Sequence, residues 1–394
     1  MTACSDQSET VIGNGETSSL EFAIDFGEIA KTRAASTAVP VTSWAKSIKE
    51  VQFFLYDASG VVRYSQRVNP NATSEQTKNY VYTDVPVGTF TLVAVANVHS
   101  ATNTLYTAVP SLTGNVDWNK DNVRQKDISN RTISHKPGAF PTHISSVVPS
   151  GNVIKPFENP SEIFMAEYTG TVTITNGGTT DLKTSPLKLK REVSMMRVRL
   201  NVDNPGPGTE NATTVNWDEV SVLIYNLPHN MTIQAGTAGG TTATSTGVNV
   251  QVGATAFRDA NPAATDYSNP TTIVAGNFKR WEDIVVFPNN GGRTNLTTPG
   301  DDVKATVAQK YTIVVTAKGL TGHKLANGTI LSAPETIYWD GLINEAFFPN
   351  FIREVNLTLT SGGKNGKLPE GPVEKGELEI AVSAPEPWNS NVLE

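Results

Sequence analysis

The feature that most constrains the fold is a succession of short apolar runs, each soon broken by turn residues. Bulky apolar residues that alternate with small or polar ones lay one face of a β-strand into a core. Helical spacing is scarce, and the 31 Gly and 23 Pro residues favour turns. The pattern predicts an all-β protein. The predicted strands are 20–26, 51–56, 61–65, 80–82, 89–97, 164–168, 170–175, 187–193, 195–202, 220–227, 283–287, 310–317, 335–338, 353–360 and 378–383.

Two predicted strands at opposite ends of the chain resemble each other. Residues 20–26 read Leu-Glu-Phe-Ala-Ile-Asp-Phe, and residues 378–384 read Leu-Glu-Ile-Ala-Val-Ser-Ala. Aligned without gaps, the two stretches share Leu, Glu and Ala, and both carry bulky apolar residues at the third and fifth positions. Each would lay one apolar face into a core. If the first strand were removed, a strand like the second could therefore fill its place.

The net charge argues against nucleic-acid binding, and the short apolar runs argue against a membrane-spanning helix. The net charge is −7 and the sequence has no basic tract, so nucleic-acid binding through neutralised phosphates is not expected. No apolar run approaches the roughly 18 residues that a membrane-spanning helix needs. The 394 residues suggest two or three domains.

The single cysteine points to attachment at a membrane surface. Cys4 follows small residues and precedes a polar, Gly-containing stretch that reads as a flexible tether over residues 1–19. This arrangement resembles the lipobox of a bacterial lipoprotein, with Met1 where Leu is usual. Two alternatives stay open: the numbering begins inside a longer precursor, or the likeness is accidental. Acyl chains on Cys4 would anchor the N-terminus, because each buried methylene contributes about 0.8 kcal/mol.

The sequence carries no recognisable catalytic or metal-binding motif. It lacks the zinc-protease, paired-cysteine, nucleophile-elbow and P-loop patterns. His135 and His143 lie in a predicted loop and are expected to be exposed to solvent. We therefore expect neither an enzyme nor a bound metal or cofactor.

Five features follow one another along the chain and together carry a family resemblance. They are Cys4, the basic segment Lys31-Thr32-Arg33-Ala34 behind the first strand, the stretches 51–57 and 85–97, the strand at 190–198, and the C-terminal strand at 376–382 followed by Trp388. In this order they resemble the fimbrillin family, the pilin subunits of type V pili of Bacteroidales.

The resemblance implies two tandem transthyretin-like β-sandwich domains and export as an outer-membrane lipoprotein, with Cys4 lipidated. An arginine-specific, trypsin-like protease is then expected to cut between Arg33 and Ala34. We place a tether at 1–19, the first strand and a cleavable linker at 20–33, an N-terminal sandwich at 34–185, and a C-terminal sandwich with the donor strand at 186–394.

Strand exchange is the implied route to a surface fimbria. The expected partners are other copies of the chain and other pilins, the protease, and, in the precursor, the outer membrane through its lipid; no nucleic acid is expected. Loss of the first strand would open a sheet edge, and an open edge is a template for another strand. The displaced strand would present Leu20, Phe22, Ile24 and Phe26, and the donor strand would present Leu378, Ile380 and Val382.

Several alternatives stay open. The chain could be a fimbrial anchor or accessory lipoprotein that keeps its first strand and does not polymerise. It could also be a glycan-binding surface lipoprotein, which would need an exposed aromatic platform, although Trp118, Trp217, Trp281 and Trp339 are dispersed in sequence. The last strand could belong permanently to its own domain, and the donor could include 351–360 or the Trp388 tail.

Overall fold

In the computed structural model the described part of the chain forms β-strands and one short 3-10 helix. The structure describes residues 18–26, 48, 50–68, 77–97, 111–112, 132–201, 214–228, 230–232, 248–255, 258–259, 279–289, 310–373 and 376–387. The strands of the first half are β1 (Ser19–Asp25), β2 (Val51–Tyr56), β3 (Val62–Val68), β4 (Thr77–Thr83), β5 (Gly88–Ala96), β6 (Ser111–Leu112), β7 (Thr132–Ser134), β8 (Ile154–Phe157), β9 (Phe164–Glu167), β10 (Val172–Ile174), β11 (Thr179–Asp181), β12 (Leu187–Lys188) and β13 (Lys190–Arg191), with the 3-10 helix at Thr142–Ile144.

The strands of the second half are longer on average and include most of the larger ladders. They are β14 (Ser194–Asn201), β15 (Val215–Tyr225), β16 (Asn230–Thr232), β17 (Val248–Ala254), β18 (Arg258–Asp259), β19 (Lys279–Val286), β20 (Tyr311–Gly319), β21 (Glu335–Ile343), β22 (Phe351–Leu359), β23 (Leu378–Val382) and β24 (Glu386–Pro387). The predicted all-β fold is confirmed. No helix in the described part of the chain is long and apolar enough to cross a bilayer.

A hairpin shows how local sequence sets the strands. β2 and β3 pair in antiparallel fashion on either side of the turn that begins at Asp57. The Asp57 carboxylate accepts hydrogen bonds from the backbone N–H groups of Ser59 (2.9 Å) and Val61 (3.1 Å). Gly60 adopts a φ of 77°, which glycine reaches without steric strain. The turn predicted from Asp57-Ala-Ser-Gly60 is therefore present.

The first pair of sheets encloses one core. One sheet holds β1 with β4, β11 and β12; the other runs in the order β13-β9-β5-β2-β3, with β10 paired to β5. Side chains from both sheets meet in a single apolar cluster that includes Phe22, Phe53, Leu92 and Phe164. We call this pair the first sandwich.

The second pair of sheets encloses another core. One sheet runs β18-β19-β14-β22-β23, with β24 on β22, and the other runs β21-β20-β15-β17-β8. Met196, Ile224, Val315, Trp339 and Val355 belong to the cluster between them. We call this pair the second sandwich. A separate small sheet has the order β16-β7-β6.

The strand pairing does not divide at residue 185, where we placed the domain boundary. β12 and β13 follow that residue but pair with β1 and β9 of the first sandwich. β8 precedes it but pairs in parallel with β17 of the second sandwich. Short segments of two to four residues have no pattern that identifies a partner so distant in sequence, which is why the sequence alone did not show this arrangement.

Candidate functional site

β1 is the central strand of its sheet. It pairs in antiparallel fashion with β4 from Ser19 to Asp25, and in parallel with β11 and β12 along its other edge. In the described part of the chain, β4, β11 and β12 have ladder partners only in β1. The sheet therefore depends on β1 for every one of its described ladders.

The inner face of β1 lies deep in the core of the first sandwich. Leu20 and Phe22 are 1% exposed, and Ile24 and Phe26 are fully buried. The Phe22 ring lies 4.8 Å from that of Phe53, 5.7 Å from that of Tyr80 and 5.9 Å from that of Tyr82, between ring centres. Withdrawing the strand would expose this aromatic cluster to water. The structure thus places all four residues of the predicted displaced strand on one buried face.

The outer face of β1 carries a polar contact and a small residue. Glu21 forms an ion pair with Lys183, which also lies 3.3 Å from the Asp181 carboxylate. The hydrogen bond to Glu21 raises the pKa of Lys183. The Leu182 N–H donates to the Glu21 carbonyl at 2.7 Å. Ala23, two residues on, is only 1% exposed, so the outer surface is covered at that point.

β23, which contains the predicted donor residues, is an edge strand of the second sandwich. It pairs only with β22 among the described strands, over five residue pairs. Leu378, Ile380 and Val382 face the second core, where Leu378 is buried and the other two are partly buried. Glu379 and Ala381 point away from that core and are exposed. The predicted alternation of β23 is therefore present, but its apolar face is less buried than that of β1.

Close contacts hold β23 in this position. The Ser383 N–H donates to the Glu354 carbonyl at 2.9 Å, and Thr360 donates to the Glu377 carbonyl through its hydroxyl at 2.9 Å. A Cβ atom added to Gly341 on β21 would lie 2.6 Å from Cδ1 of Ile380. A side chain at position 341 would therefore force Ile380 to shift while β23 is in place.

The other candidates for a donor are less suitable or outside the described residues. β22, which covers most of 351–360, lies between β14 and β23 and pairs with both. Its removal would divide the sheet, so it is the poorer donor. Trp388, Cys4, Lys31, Arg33 and Ala34 all lie outside the described residues, so their predicted roles stay predictions.

The three histidines within the described residues occupy structural positions. His135 is 2% exposed, with its ring centre 4.1 Å from that of Phe287, so the expectation that it is solvent-exposed was wrong. His143, half-buried, lies 2.8 Å from the Ser221 hydroxyl. His323 lies 2.7 Å from the Gly362 carbonyl through Nε2. In the described residues no group of three His, Cys, Asp or Glu side chains is arranged to hold a metal ion.

Two of the dispersed tryptophans lie at the second core rather than forming an exposed aromatic surface. Trp339 is buried and donates its ring N–H to the Ser361 carbonyl at 2.9 Å. Trp217 stacks on it with the ring centres 5.6 Å apart and is partly buried. Neither side chain therefore supplies the platform that a glycan-binding surface would need.

A buried polar cluster that no sequence pattern predicts joins the two sandwiches. Arg191 donates to the Glu162 carboxylate at 2.8 Å and to the Asn350 side chain at 2.9 Å. The Arg191 guanidinium also lies 4.9 Å from the centre of the Phe164 ring. Asn350, just before β22, donates its backbone N–H to the Val193 carbonyl. Only folding brings these residues together, so no local sequence signal could have indicated them.

Comparison with known proteins relates the chain to fimbrial proteins. Residues 42–318 match the family described as fimbrillin-A associated anchor proteins Mfa1 and Mfa2. This range includes neither β1 nor β23. No curated protein matches the chain in sequence.

The solved structures to which the chain shows some similarity include three bacterial proteins. A candidate cell adhesion protein of Bacteroides eggerthii is 14% identical with a TM-score of 0.47, covering 95% of this chain and 97% of its own. A fimbrilin of Porphyromonas gingivalis is 13% identical with a TM-score of 0.45, covering 94% and 97%. The tip fimbrial protein Mfa3 of the same organism, with a C-terminal truncation, is 11% identical with a TM-score of 0.35, covering 93% and 99%.

Proposed function

Because this chain belongs to the family of fimbrillin-A associated anchor proteins Mfa1 and Mfa2, we propose that it is a structural pilin. In this role it polymerises into fimbriae on the cell surface and supports adhesion. Assembly is triggered by proteolysis and proceeds by strand exchange: β1 leaves the first sandwich, and β23 of a neighbouring subunit takes its place.

The observation that carries the proposal is the central position of β1 in its sheet together with the burial of its inward-facing side chains. Its four large apolar side chains contribute about 6–12 kcal/mol through burial, at about 1.5–3 kcal/mol each. A strand in this position keeps the exported monomer folded. Once removed, it leaves an open edge on both sides, and such edges recruit strands from other chains.

β23 is suited to replace β1 of a neighbouring subunit. It is at the edge of its own sheet, so it can leave without dividing that sheet. Ile380 and Val382 are only partly buried there, whereas the equivalent places on β1 are fully enclosed. Moving into the first sandwich of a neighbour would therefore increase the burial of these side chains. Loss of the Glu354 and Thr360 contacts and ordering of the freed segment offset part of this gain.

The proposed sequence of events starts at the outer membrane. The precursor is attached through acyl chains on Cys4, and an arginine-specific protease cuts after Arg33, so that the mature chain begins at Ala34. A contact in which β23 of one copy enters the first sandwich of the next is head-to-tail. Contacts of this kind do not close on themselves and propagate as a filament.

A second candidate is a non-polymerising anchor that keeps β1. The matched family is described as anchor proteins, and β23 is seated in its own second sandwich through five residue pairs. An anchor would still receive or attach to other fimbrial subunits, but its chain would remain uncut.

The test is limited digestion of the purified full-length chain with an arginine-specific protease. N-terminal sequencing locates the cut, and electron microscopy with size-exclusion chromatography detects filaments. We expect a mature N-terminus at Ala34 and filaments that grow after cleavage. The matched control is Arg33→Gln, which should stay uncut at this position and monomeric.

Shortening the chain so that it ends at Lys375 tests the donor. This variant keeps Arg33, so it should be cut normally but fail to polymerise. Cut wild-type chains that stay monomeric would contradict the polymerising role and favour the anchor. Filaments from the shortened chain would show that β23 is not the donor.

A further inference from the structure

Two residues that are identical in β1 and β23 are not explained by the packing of β23 in the second sandwich. Glu379 and Ala381 match Glu21 and Ala23 in the gapless alignment, yet both are exposed on the outer side of the second sandwich. Neither contributes to the second core. The inward residues of β23 are explained by packing against that core, but these two outward residues are not.

In β1 the residues at the same two positions, Glu21 and Ala23, both make specific contacts. Glu21 forms the ion pair with Lys183. Ala23 is 1% exposed although it lies outside the apolar cluster of the first core, so a larger side chain there would collide with the atoms that bury it. The site of β1 therefore requires a carboxylate at one outward position and a small side chain at the next.

We propose that Lys183 and the covered space around Ala23 set the register in which β23 of a second copy enters the first sandwich. This inference rests on the proposed strand exchange. Glu379 of the incoming strand takes the place of Glu21 and pairs with Lys183. Ala381 takes the place of Ala23.

The ion pair with Lys183 and the small space at Ala23 each exclude a different shift in the register of the incoming strand. A slip of one residue turns the apolar face outward and is excluded by the core. A slip of two residues leaves the apolar side chains facing the core, but it moves Glu379 and Ala381 away from the positions of Glu21 and Ala23. In one direction Glu379 would enter the covered space of Ala23, where a carboxylate is too large and far from water. In the other direction Ala381 would lie opposite Lys183, and the ion pair would be lost.

The test compares the same substitution at two alanines of the donor segment. Ala381→Leu places a larger side chain in the covered space of Ala23. Ala384→Leu places it where the gapless alignment puts Phe26, which is large and fully buried. Both alanines are exposed in the monomer, so the melting temperature of the uncut chain should not change in either variant.

After cleavage, we expect Ala381→Leu to slow filament growth about tenfold or more, because overpacking a filled site is strongly unfavourable. Ala384→Leu should polymerise at least as fast as the wild type. Growth rates are measured by light scattering, with filaments checked by electron microscopy. Equal rates for the two variants would overturn the proposed register.

Charge reversal tests the ion pair. Glu379→Lys should reduce the polymerisation rate about two- to fivefold, as expected for a partly exposed pair. Glu370→Lys, at an exposed loop position outside β23, makes the same change in net charge and should leave the rate unaltered. The quadruple variant Glu21→Lys, Asp181→Asn, Lys183→Glu, Glu379→Lys restores both pairs without leaving a carboxylate at position 181 beside the new one, and it should recover the wild-type rate.

The outcomes separate the two proposals. If cut wild-type chains do not polymerise, strand exchange fails and the register proposal falls with it. If they polymerise while Ala381→Leu and Glu379→Lys behave like the wild type, strand exchange stands and only the register proposal is wrong. A quadruple variant as slow as Glu379→Lys would show that Lys183 does not set the register.

Discussion

At the scale of single residues, two tyrosines on the strand beside β1 make the packing of β1 depend on their ionisation state. Tyr80 and Tyr82 on β4 contact Phe22, and burial raises the pKa of both phenols. Their hydroxyl groups have no hydrogen-bond partner in the described structure. The neutral ring therefore fits this site and the phenolate does not. Because the folded-state pKa lies above the unfolded value of about 10, this contribution to stability is complete below that pH and is lost as the pH rises beyond it.

We predict that the first sandwich loosens in alkali and that the double variant Tyr80→Phe, Tyr82→Phe resists this change. Urea unfolding midpoints of the uncut chain at pH 7, 9 and 11 provide the measurement. The fall in midpoint between pH 9 and 11 should be smaller in the double variant than in the wild type. Tyr168→Phe, at a half-buried tyrosine elsewhere in the first sandwich, is the control and should fall like the wild type. An equal fall in all three proteins would refute the role of the two buried phenols.

At the scale of elements, the sheet of the first sandwich that contains β1 is built around that strand. β4, β11 and β12 belong to the sheet only through their ladders with β1 in the described residues. The opposite sheet has ladders that do not involve β1, such as those between β2, β3, β5 and β9. Loss of β1 should therefore loosen one sheet while leaving the other formed.

Hydrogen exchange on a chain that begins at Ala34 and ends at Lys375, and therefore lacks both β1 and the donor strand, can test this difference. Without β1, the amides of β4 should exchange about as fast as an unpaired segment, whereas those of β2 and β5 should stay protected. A synthetic peptide of residues 18–26 should restore protection of β4. The same peptide with Phe22→Asp should not, because the carboxylate would be buried among aromatic rings. Protected β4 amides in the absence of peptide would contradict the central role of β1.

The sequence predicted where the strands lie better than it predicted which strands and side chains contact one another. The alternation in 20–26 and 378–382 identified which side chains face inward, because a strand has a period of two. It could not show that β8 crosses to the second sandwich, or that Lys183 lies opposite Glu21. Those contacts join residues that are far apart in the chain, so no local pattern indicates them. His135 was assigned to the surface because it lies in a predicted loop.

At the scale of the whole molecule, the Arg191 cluster fixes the two sandwiches to each other. Its guanidinium is buried and hydrogen-bonded to Glu162 of the first sandwich and to Asn350 beside the second. Breaking a buried pair by removing one partner leaves an uncompensated charge, which is strongly unfavourable. The junction is therefore sensitive to any change at Arg191.

We predict that Arg191→Met destabilises the uncut chain by about 3–5 kcal/mol. Chemical denaturation followed by tryptophan fluorescence gives the change in the free energy of unfolding. Adding Glu162→Gln should recover part of the loss, because the buried charge is then gone. Arg63→Met is the matched control: the Arg63–Asp57 pair is exposed and should contribute about 1 kcal/mol or less. A similar small loss for Arg191→Met would show that the cluster does not hold the junction.

The position of β1 between two ladders has a mechanical consequence for any strand that replaces it. Such a strand is bonded along both edges, to β4 on one side and to β11 and β12 on the other. A force pulling along its axis would load all of these hydrogen bonds at once, in shear, while a sideways force could break them one after another. A joint loaded along the strand would then hold against drag from flowing liquid far better than its modest length suggests.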